Sequence, residues 1–506
     1  MKRTVLLLIL DGWGIGRKNQ GNPLHVRKPK LLEFLPDYYL AGALQAFGVA
    51  VGLPWSEASN SEVGHLTLGA GRIIYQHYLR IKNAIESGEF FKNPALLAAL
   101  HHARRNRSTL HFVGLLTESK VHAALDHLEA LILLARKSQL RFALHLFTDG
   151  QDSDPKSAPG LLKKLGAVPL ASVGGRFYGM DRDNHWDRIE KAYRILTGAG
   201  REVAGDPIVE IERHYANDLT DQYVDPFIVA GNKNPISAND AVFFFNFRED
   251  RMRQLVESFI EPDFNKFVRP PLENVYYAAM TPYADKFKIA TAFPPERIPN
   301  CLAQILSEND KTQLHIAETE KYAHITYFFN AYQEEPFPNE FRVLIPSLSA
   351  ARHDEQPAMM AREITTRIVE AIEENAYDFI VANIANFDMI AHTGNFSAAL
   401  QAIDVVDAQL EKIWKTVIDH NAILIMTSDH GNIEKMQDDN TWLPQTKHDA
   451  NPVPIYVIGN GFESINKNKS IENVGILADV APTILGLLDL PVPDEMIGQN
   501  LLPLLI

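Results

Sequence analysis

The 506-residue sequence has one cysteine, Cys301. It can form no internal disulfide and no thiolate metal cluster, so the cytoplasm, a reducing compartment, is the expected setting. Long apolar runs are also missing: nothing approaches the ~18 uncharged residues of a membrane helix. Even VGILADVAPTILGLLDL near the C-terminus is interrupted by Asp479 and Asp489. The opening MKRTVLLLIL imitates a secretion signal, with Lys2 and Arg3 ahead of an apolar run. That run ends at Asp11 without a small-residue cleavage site, so it reads as a buried strand. There is no excess of basic charge. Lys and Arg number 49 against 63 Asp and Glu, a net charge of −14, which argues against nucleic acid as a partner. A small anion held by a few local arginines remains compatible with that balance.

The chain is too long for one core at roughly 150 residues per domain. Short apolar or β-branched runs end repeatedly in polar, often acidic residues: VLLLILDGWG up to Asp11, then Thr109 to Ser119, Arg141 to Asp152, Ala241 to Asp250, Asp378 to Asp388 and Ala422 to Asn432. Between them lie helical periodicities, one over Val121, Ala124, Leu125, Leu128, Leu131, Ile132 and Ala135, another over Leu400, Ile403, Val406, Leu410, Ile413 and Val417. This alternation predicts an α/β fold with parallel, doubly wound sheets and ligands at the carboxyl ends of the strands. The proline-rich TAFPPERIPN, 291–300, reads as a linker.

Asp11, Asp388, Asp429 with His430, and His448 all fall beside predicted strand ends. Asp388 and His392, four apart, share one face of a helical turn. Carboxylate and imidazole without sulfur suit Mn²⁺ or Zn²⁺ better than Mg²⁺. Taken singly, each also reads as an ordinary turn or cap residue. Ser61 falls in ASNSEVGHLTLGAGR, where Ser59 and Glu62 have the spacing of a capping box; it is either part of a helix start or a nucleophile at a helix N-terminus. Arg248 and Arg251 in NFREDRMRQ are expected in the first turn of a helix, where cations oppose the dipole. Arg176, Arg182 and Arg188 follow a strand and alternate with Asp181, Asp183 and Asp187, a pattern equally suited to anion capture and to a salt-bridged surface.

Taken together, DGWG, NSEVGHLTLGAGR, the DGxD element at 149–152, GGRFYGMDRD, NFREDRMRQ, IAETEKYAHITYFFN, NIANFDMIAHTGN, SDHGN and HDANPVP closely resemble the cofactor-independent (2,3-bisphosphoglycerate-independent) phosphoglycerate mutases of the alkaline phosphatase superfamily. The resemblance runs end to end. It implies an isomerase that interconverts 3- and 2-phosphoglycerate through a phosphoserine, with two Mn²⁺ ions or other divalent ions, no membrane partner, and a monomeric state. It implies a phosphatase-like domain of residues 1–75 and 311–506 interrupted by a transferase domain, 76–310. By position, Asp388, His392 and His448 would hold one ion, and Asp11, Ser61, Asp429 and His430 the other. Ser61 would be the nucleophile and Lys321 would neutralise the phosphoryl group, assisted by Arg248 and Arg251. His122, Gln151, Asp152, Arg182 and Arg188 would face the glycerate, with Asp152 and His122 handling protons. The pattern is departed from at Gln151, where the family has arginine, at Ala124, where it has a second histidine, at His185, where arginine is common, and in WSEASNSE ahead of Ser61. These departures concern the glycerate half and leave the metal set intact.

Overall fold

In a computed structural model of the chain, residues 3–232, 234–349, 352–438, 441–464 and 471–505 are described. The chain divides into two compact units, Met1–Tyr75 with Arg297–Ile506, and Gln76–Glu296. In chain order the strands are β1 (Val5–Leu10), β2 (Leu40–Gln45), β3 (Leu110–Leu116), β4 (Phe142–Thr148), β5 (Leu170–Gly175), β6 (Glu202–Val203), β7 (Phe227–Val229), β8 (Ala241–Phe244), β9 (Tyr276–Ala279), β10 (Ala290–Thr291), β11 (Gln313–Glu318), β12 (Glu340–Ile345), β13 (Phe379–Ile384), β14 (Ile423–Thr427), β15 (Val453–Ile458) and β16 (Asn473–Ile476).

The discontinuous unit is built on one sheet, ordered β12-β11-β13-β1-β14-β15-β2-β16. The N-terminal run expected to be a strand is β1, buried along its whole length between β13 and β14. Its side chains alternate between two cores. Leu6, Leu8 and Leu10 pack with the helices Ala361–Glu374 and Phe396–Asp419 on one face. Val5, Leu7 and Ile9 pack on the other with the helices Ser61–Ala70, Leu302–Glu308 and Val480–Leu487. Each such leucine or isoleucine contributes about 1.5–3 kcal/mol on burial, so β1 anchors both layers.

The parallel arrangement has one reversal here: β15 runs antiparallel to both β14 and β2. Among its described residues, the chain between β14 and β15 forms no crossover helix, and its helical element is the single 3-10 turn Ile433–Lys435. It therefore returns along the same edge of the sheet, and His448, just before β15, comes back to the end of β14 that carries Asp429.

The continuous unit has its own sheet, ordered β10-β9-β8-β3-β4-β5-β7-β6, with β7 antiparallel to β5 and one hydrophobic core. Two local expectations change. The helix expected from Val121 starts at Leu125, because the His122 carbonyl accepts the Phe247 and Arg248 N–H groups instead of entering a helical ladder. The helix expected to hold Arg248 and Arg251 in its first turn is Arg253–Ile260. Arg251 lies in the preceding turn, closed by Met252 N–H on the Glu249 carbonyl and by its own N–H on Asp250 Oδ1, and Arg248 lies just ahead of that turn. They do not oppose the helix dipole in the way their spacing suggested.

Candidate metal centre and cationic cluster

At the carboxyl end of β1 the chain turns at Gly12, with φ +77°, and a Cβ there would stand 2.8 Å from Asp388 Cα. Asp388 N–H donates to the Asp11 carbonyl at 3.0 Å, which joins the ends of β1 and β13. From the other side the Ser61–Ala70 helix approaches through Gly64, where a Cβ would be 2.5 Å from the Asp429 carbonyl oxygen. Its cap is Asn60, whose side chain accepts the Val63 N–H at 3.0 Å. The expected Ser59–Glu62 capping box is not formed; the Ser59 hydroxyl donates to the Asn60 carbonyl instead. With Asn60 as the cap, Ser61 is the first helical residue and its hydroxyl is available to the site.

These elements bring Asp11, Ser61, Lys321, Asp388, Asp429 and His430 together in a buried cluster with His448 and His392 at its rim. Lys321 Nζ stands 2.7 Å from each of Asp11 Oδ1, Ser61 Oγ and Asp388 Oδ2. Ser61 Oγ is 3.0 Å from His430 Nε2 and 3.2 Å from Asp11 Oδ1. His392 Nε2 and His448 Nε2 are 3.0 Å apart and stand 3.2 and 3.3 Å from Asp388 Oδ1. Second partners aim both rings: His392 Nδ1 faces the Thr446 carbonyl and His448 Nδ1 the Ser59 carbonyl, each at 2.8 Å.

Three buried carboxylates share one ammonium. Burial would lower the Lys321 pKa, but Asp11, Asp388 and Asp429 outweigh it and hold it above the usual lysine range. For Asp388 and Asp429 burial pushes upward and is overcome, at Asp388 by Lys321 and at Asp429 by His430, His65 and Lys321, so both are held below the carboxylate range. Asp11 is the one pushed up, by burial and then by Asp429. The cluster therefore has more negative charge than its own cation neutralises. Asn432 Oδ1 is buried without a hydrogen-bond partner among the described residues, while Asp429 Oδ2 faces His65 Nδ1 at 3.2 Å and His430 Nε2 at 3.4 Å. Ligand atoms of Asp388, His392 and His448, and of Asp11, Asp388 and His430, converge within 4.8 Å of one another. Excess charge, the orphaned Asn432 oxygen and a nitrogen-oxygen donor set all fit divalent cations.

The continuous unit has a cluster of different character. Arg176, 3% exposed and just after β5, bonds through Nη1 to Asp149 and to Asp152. His122 Nε2 stands 3.7 Å from Asp152 Oδ2 and its Nδ1 3.6 Å from Asp250 Oδ1. Burial, then Arg176, holds the His122 pKa down to about 4, so the ring is neutral at pH 7. Asp250 also meets Arg182 Nη1 at 2.7 Å and Arg248 Nε at 3.3 Å. Arg251 donates to the Met180 carbonyl at 3.4 Å. Arg188 bonds Asp181 at 3.0 Å and lies 3.9 Å over the Phe177 ring. Gln151 is exposed, and its backbone N–H donates to Asp149 Oδ1 at 3.3 Å. Ala124 is buried just ahead of the Leu125 helix, and His185 pairs with Asp181 at 3.0 Å. Asp181, Asp183 and His185 also converge, but the Asp181 oxygens already take N–H donors from Asp183, His185, Gln254 and Arg188, which closes that group to a metal. Of the two readings open to Arg176, anion capture or salt bridging, its contacts with Asp149 and Asp152 correspond to the second, though buried rather than at the surface.

A family model described as the metalloenzyme superfamily matches residues 3–492. The 2,3-bisphosphoglycerate-independent phosphoglycerate mutase of Clostridium novyi (strain NT) is 43% identical over 512 residues, covering 99% of each chain. Phosphoglycerate mutase 1 of the same type from Methanosarcina acetivorans is 42% identical over 516 residues, again covering 99% of each. A crystal structure of Leishmania mexicana phosphoglycerate mutase at low cobalt concentration superposes with a TM-score of 0.62 at 30% identity, over 99% of this chain and 98% of that one. The chain belongs to the 2,3-bisphosphoglycerate-independent phosphoglycerate mutases, a family of isomerases within the metalloenzyme superfamily.

Proposed function

We propose that this chain interconverts 3-phosphoglycerate and 2-phosphoglycerate by two phosphoryl transfers through Ser61, without 2,3-bisphosphoglycerate. The observation that carries the reading is Ser61 Oγ itself: first in its helix, 2.7 Å from Lys321 Nζ, and ringed by Asp11 and His430. Two Mn²⁺ ions, one on Asp388, His392 and His448 and one on Asp11, Ser61, Asp429 and His430, would supply Lewis acidity toward the phosphoryl oxygens.

The Lys321 ammonium donates to Ser61 Oγ, which favours the deprotonated, nucleophilic oxygen. As the Oγ–P bond forms, the bond from phosphorus to the glycerate oxygen breaks, and the proton given up by Ser61 Oγ is the one that this oxygen takes up. The helix N-terminus and Lys321 then stabilise the phosphoryl group on Ser61. Protons are handled by Asp152 and His122. His122, neutral at pH 7, can accept the proton of the other glycerate hydroxyl; the oxygen so freed takes the phosphoryl group back as the Oγ–P bond breaks, and the proton returns to Ser61 Oγ. Arg182, Arg188, Arg248 and Arg251 supply the positive charge that a carboxylate and a phosphate require. We assign the phosphoryl-transfer role to the discontinuous unit, the glycerate-holding role to the inserted one, and a monomer as the working state.

The test is incubation with 3-phosphoglycerate and Mn²⁺, with no bisphosphoglycerate present, following both 2-phosphoglycerate and free phosphate beside a chelator control. Metal-dependent isomer without phosphate is expected. Phosphate in place of isomer would make the protein a metal-dependent phosphohydrolase instead.

A further inference from the structure

Asn383 and His65 belong to none of the roles assigned above, yet both are fully buried against the metal centre. Asn383 lies near the end of β13, opposite Ile9 of β1. His65 lies one turn beyond Ser61 in the same helix. Asn383 Nδ2 stands 2.8 Å from Asp11 Oδ2 and 2.9 Å from His65 Nε2. The amide orientation is set by its neighbours, because the flipped form would put Oδ1 against the Asp11 carboxylate, acceptor to acceptor. Its two hydrogens are therefore both committed, one to each partner. Asn383 Oδ1 is left buried without a hydrogen-bond partner among the described residues, a cost incurred in aiming both hydrogens this way.

Two consequences follow from that amide. His65 Nε2 accepts, so its ring hydrogen is on Nδ1, which stands 2.8 Å from the Ser61 carbonyl and 3.2 Å from Asp429 Oδ2. With both ring nitrogens engaged, His65 is not a ligand, although its atoms converge with those of Asp11 and Asp429. Asp11, with Oδ2 taken by Asn383, is left with Oδ1 to face Ser61 Oγ. The pair thus spans Asp11, Ser61 and Asp429 and touches neither His392 nor His448.

We propose that Asn383 and His65 are positioning residues that hold Asp11 as a one-oxygen ligand and orient Ser61 and Asp429, and so set the affinity of one of the two ion sites selectively. This rests on the two-ion reading given under Proposed function.

The test is Mn²⁺ binding to the chelator-stripped full chain, counted by electron paramagnetic resonance of free Mn²⁺ without substrate. Wild type should take up two ions. Asn383→Leu should fill one site as wild type does and the other with 10–100-fold weaker affinity, the range typical of lost outer partners of metal ligands. His65→Asn keeps an N–H near the Nδ1 position and should retain more of the second site than His65→Leu. Thermal unfolding of the metal-free variants checks that they fold, and if Asn383→Leu does not, the His65 pair carries the test. Equal weakening of both sites, or no weakening, overturns the inference and leaves the mutase reading standing. Wild type that binds no Mn²⁺ overturns the metal centre and this inference with it.

Discussion

The two units place buried charge at the carboxyl ends of their strands and neutralise it differently. In the discontinuous unit Asp11, Asp388 and Asp429 share one ammonium, Lys321, and the buried side-chain oxygens of Asn383 and Asn432 lack a hydrogen-bond partner among the described residues. In the inserted unit the buried acids near the carboxyl ends of the strands have guanidinium partners: Asp149 has Arg176, and Asp181 has Arg188. That unit even carries a closed polar chain toward the amino ends of its strands, where Asp240 meets His111 at 3.1 Å, His111 meets His145 at 3.0 Å, and His145 meets the Ser172 hydroxyl at 2.8 Å. A buried network with open acceptors needs something from outside to complete it, whereas a closed one stands on its own. The first centre is accordingly built for cations, and the second is an already neutralised framework with arginines at its edge.

The largest break in this contrast should come from Ser61→Ala. If phosphoryl transfer runs through Ser61 as proposed, loss of that oxygen should lower mutase turnover by on the order of 10⁴-fold or more, while the melting temperature stays near that of wild type. Next, Arg176→Met would leave Asp149 and Asp152 without their guanidinium. Breaking such a buried pair costs about 3–5 kcal/mol, read by denaturant unfolding, with Mn²⁺ uptake unchanged because the metal centre lies in the other unit. A third difference is acid sensitivity. Burial holds the His127 pKa down to about 4, against 6.5 in the unfolded chain. The unfolded state then binds the extra proton between these values, so stability is intact above pH 6.5 and is lost as pH falls toward 4. This ring should account for about 3 kcal/mol by pH 4. A His127→Phe variant should lose less stability than wild type over that window, and parallel pH–stability curves would refute it.

The smallest effect concerns the edge of the inserted cluster. Gln151 is exposed and stands where the family resemblance implies an arginine, so Gln151→Arg should lower the KM for phosphoglycerate by about tenfold, near the lower end of the ~1.5–3 kcal/mol of a charged hydrogen bond. An unchanged KM in steady-state kinetics would mean that the other arginines already do that work.

Legibility in the sequence followed the same division. Strands ending in acids were readable as such, and the Asp388–His392 spacing corresponds to a 3.2 Å contact. The reversal of β15 was not, because strand direction depends on what the intervening chain fails to form, and DHGN to KHDANPVP simply lacks helical periodicity. Arg248 and Arg251 were given to a helix that begins at Arg253, since an Asp250 side chain bonding a backbone N–H ends a turn without altering composition. Asn383 was hidden for another reason. A polar residue inside DFIVANIANFD reads as an interruption of an apolar run, and only the fold shows which carboxylate it meets.

The alternation of β1 has a consequence for how this segment can change. Asp11 follows Val5, Leu7 and Ile9 in step and meets Ser61, whose helix packs on their face of the sheet. Leu6, Leu8 and Leu10 face the opposite layer. Apolar exchanges along β1 leave that parity alone, but inserting or deleting one residue would swap the two faces and turn Asp11 away from Ser61. The stretch is read in pairs, so it can drift in spelling while its length is held fixed by a carboxylate beyond its end.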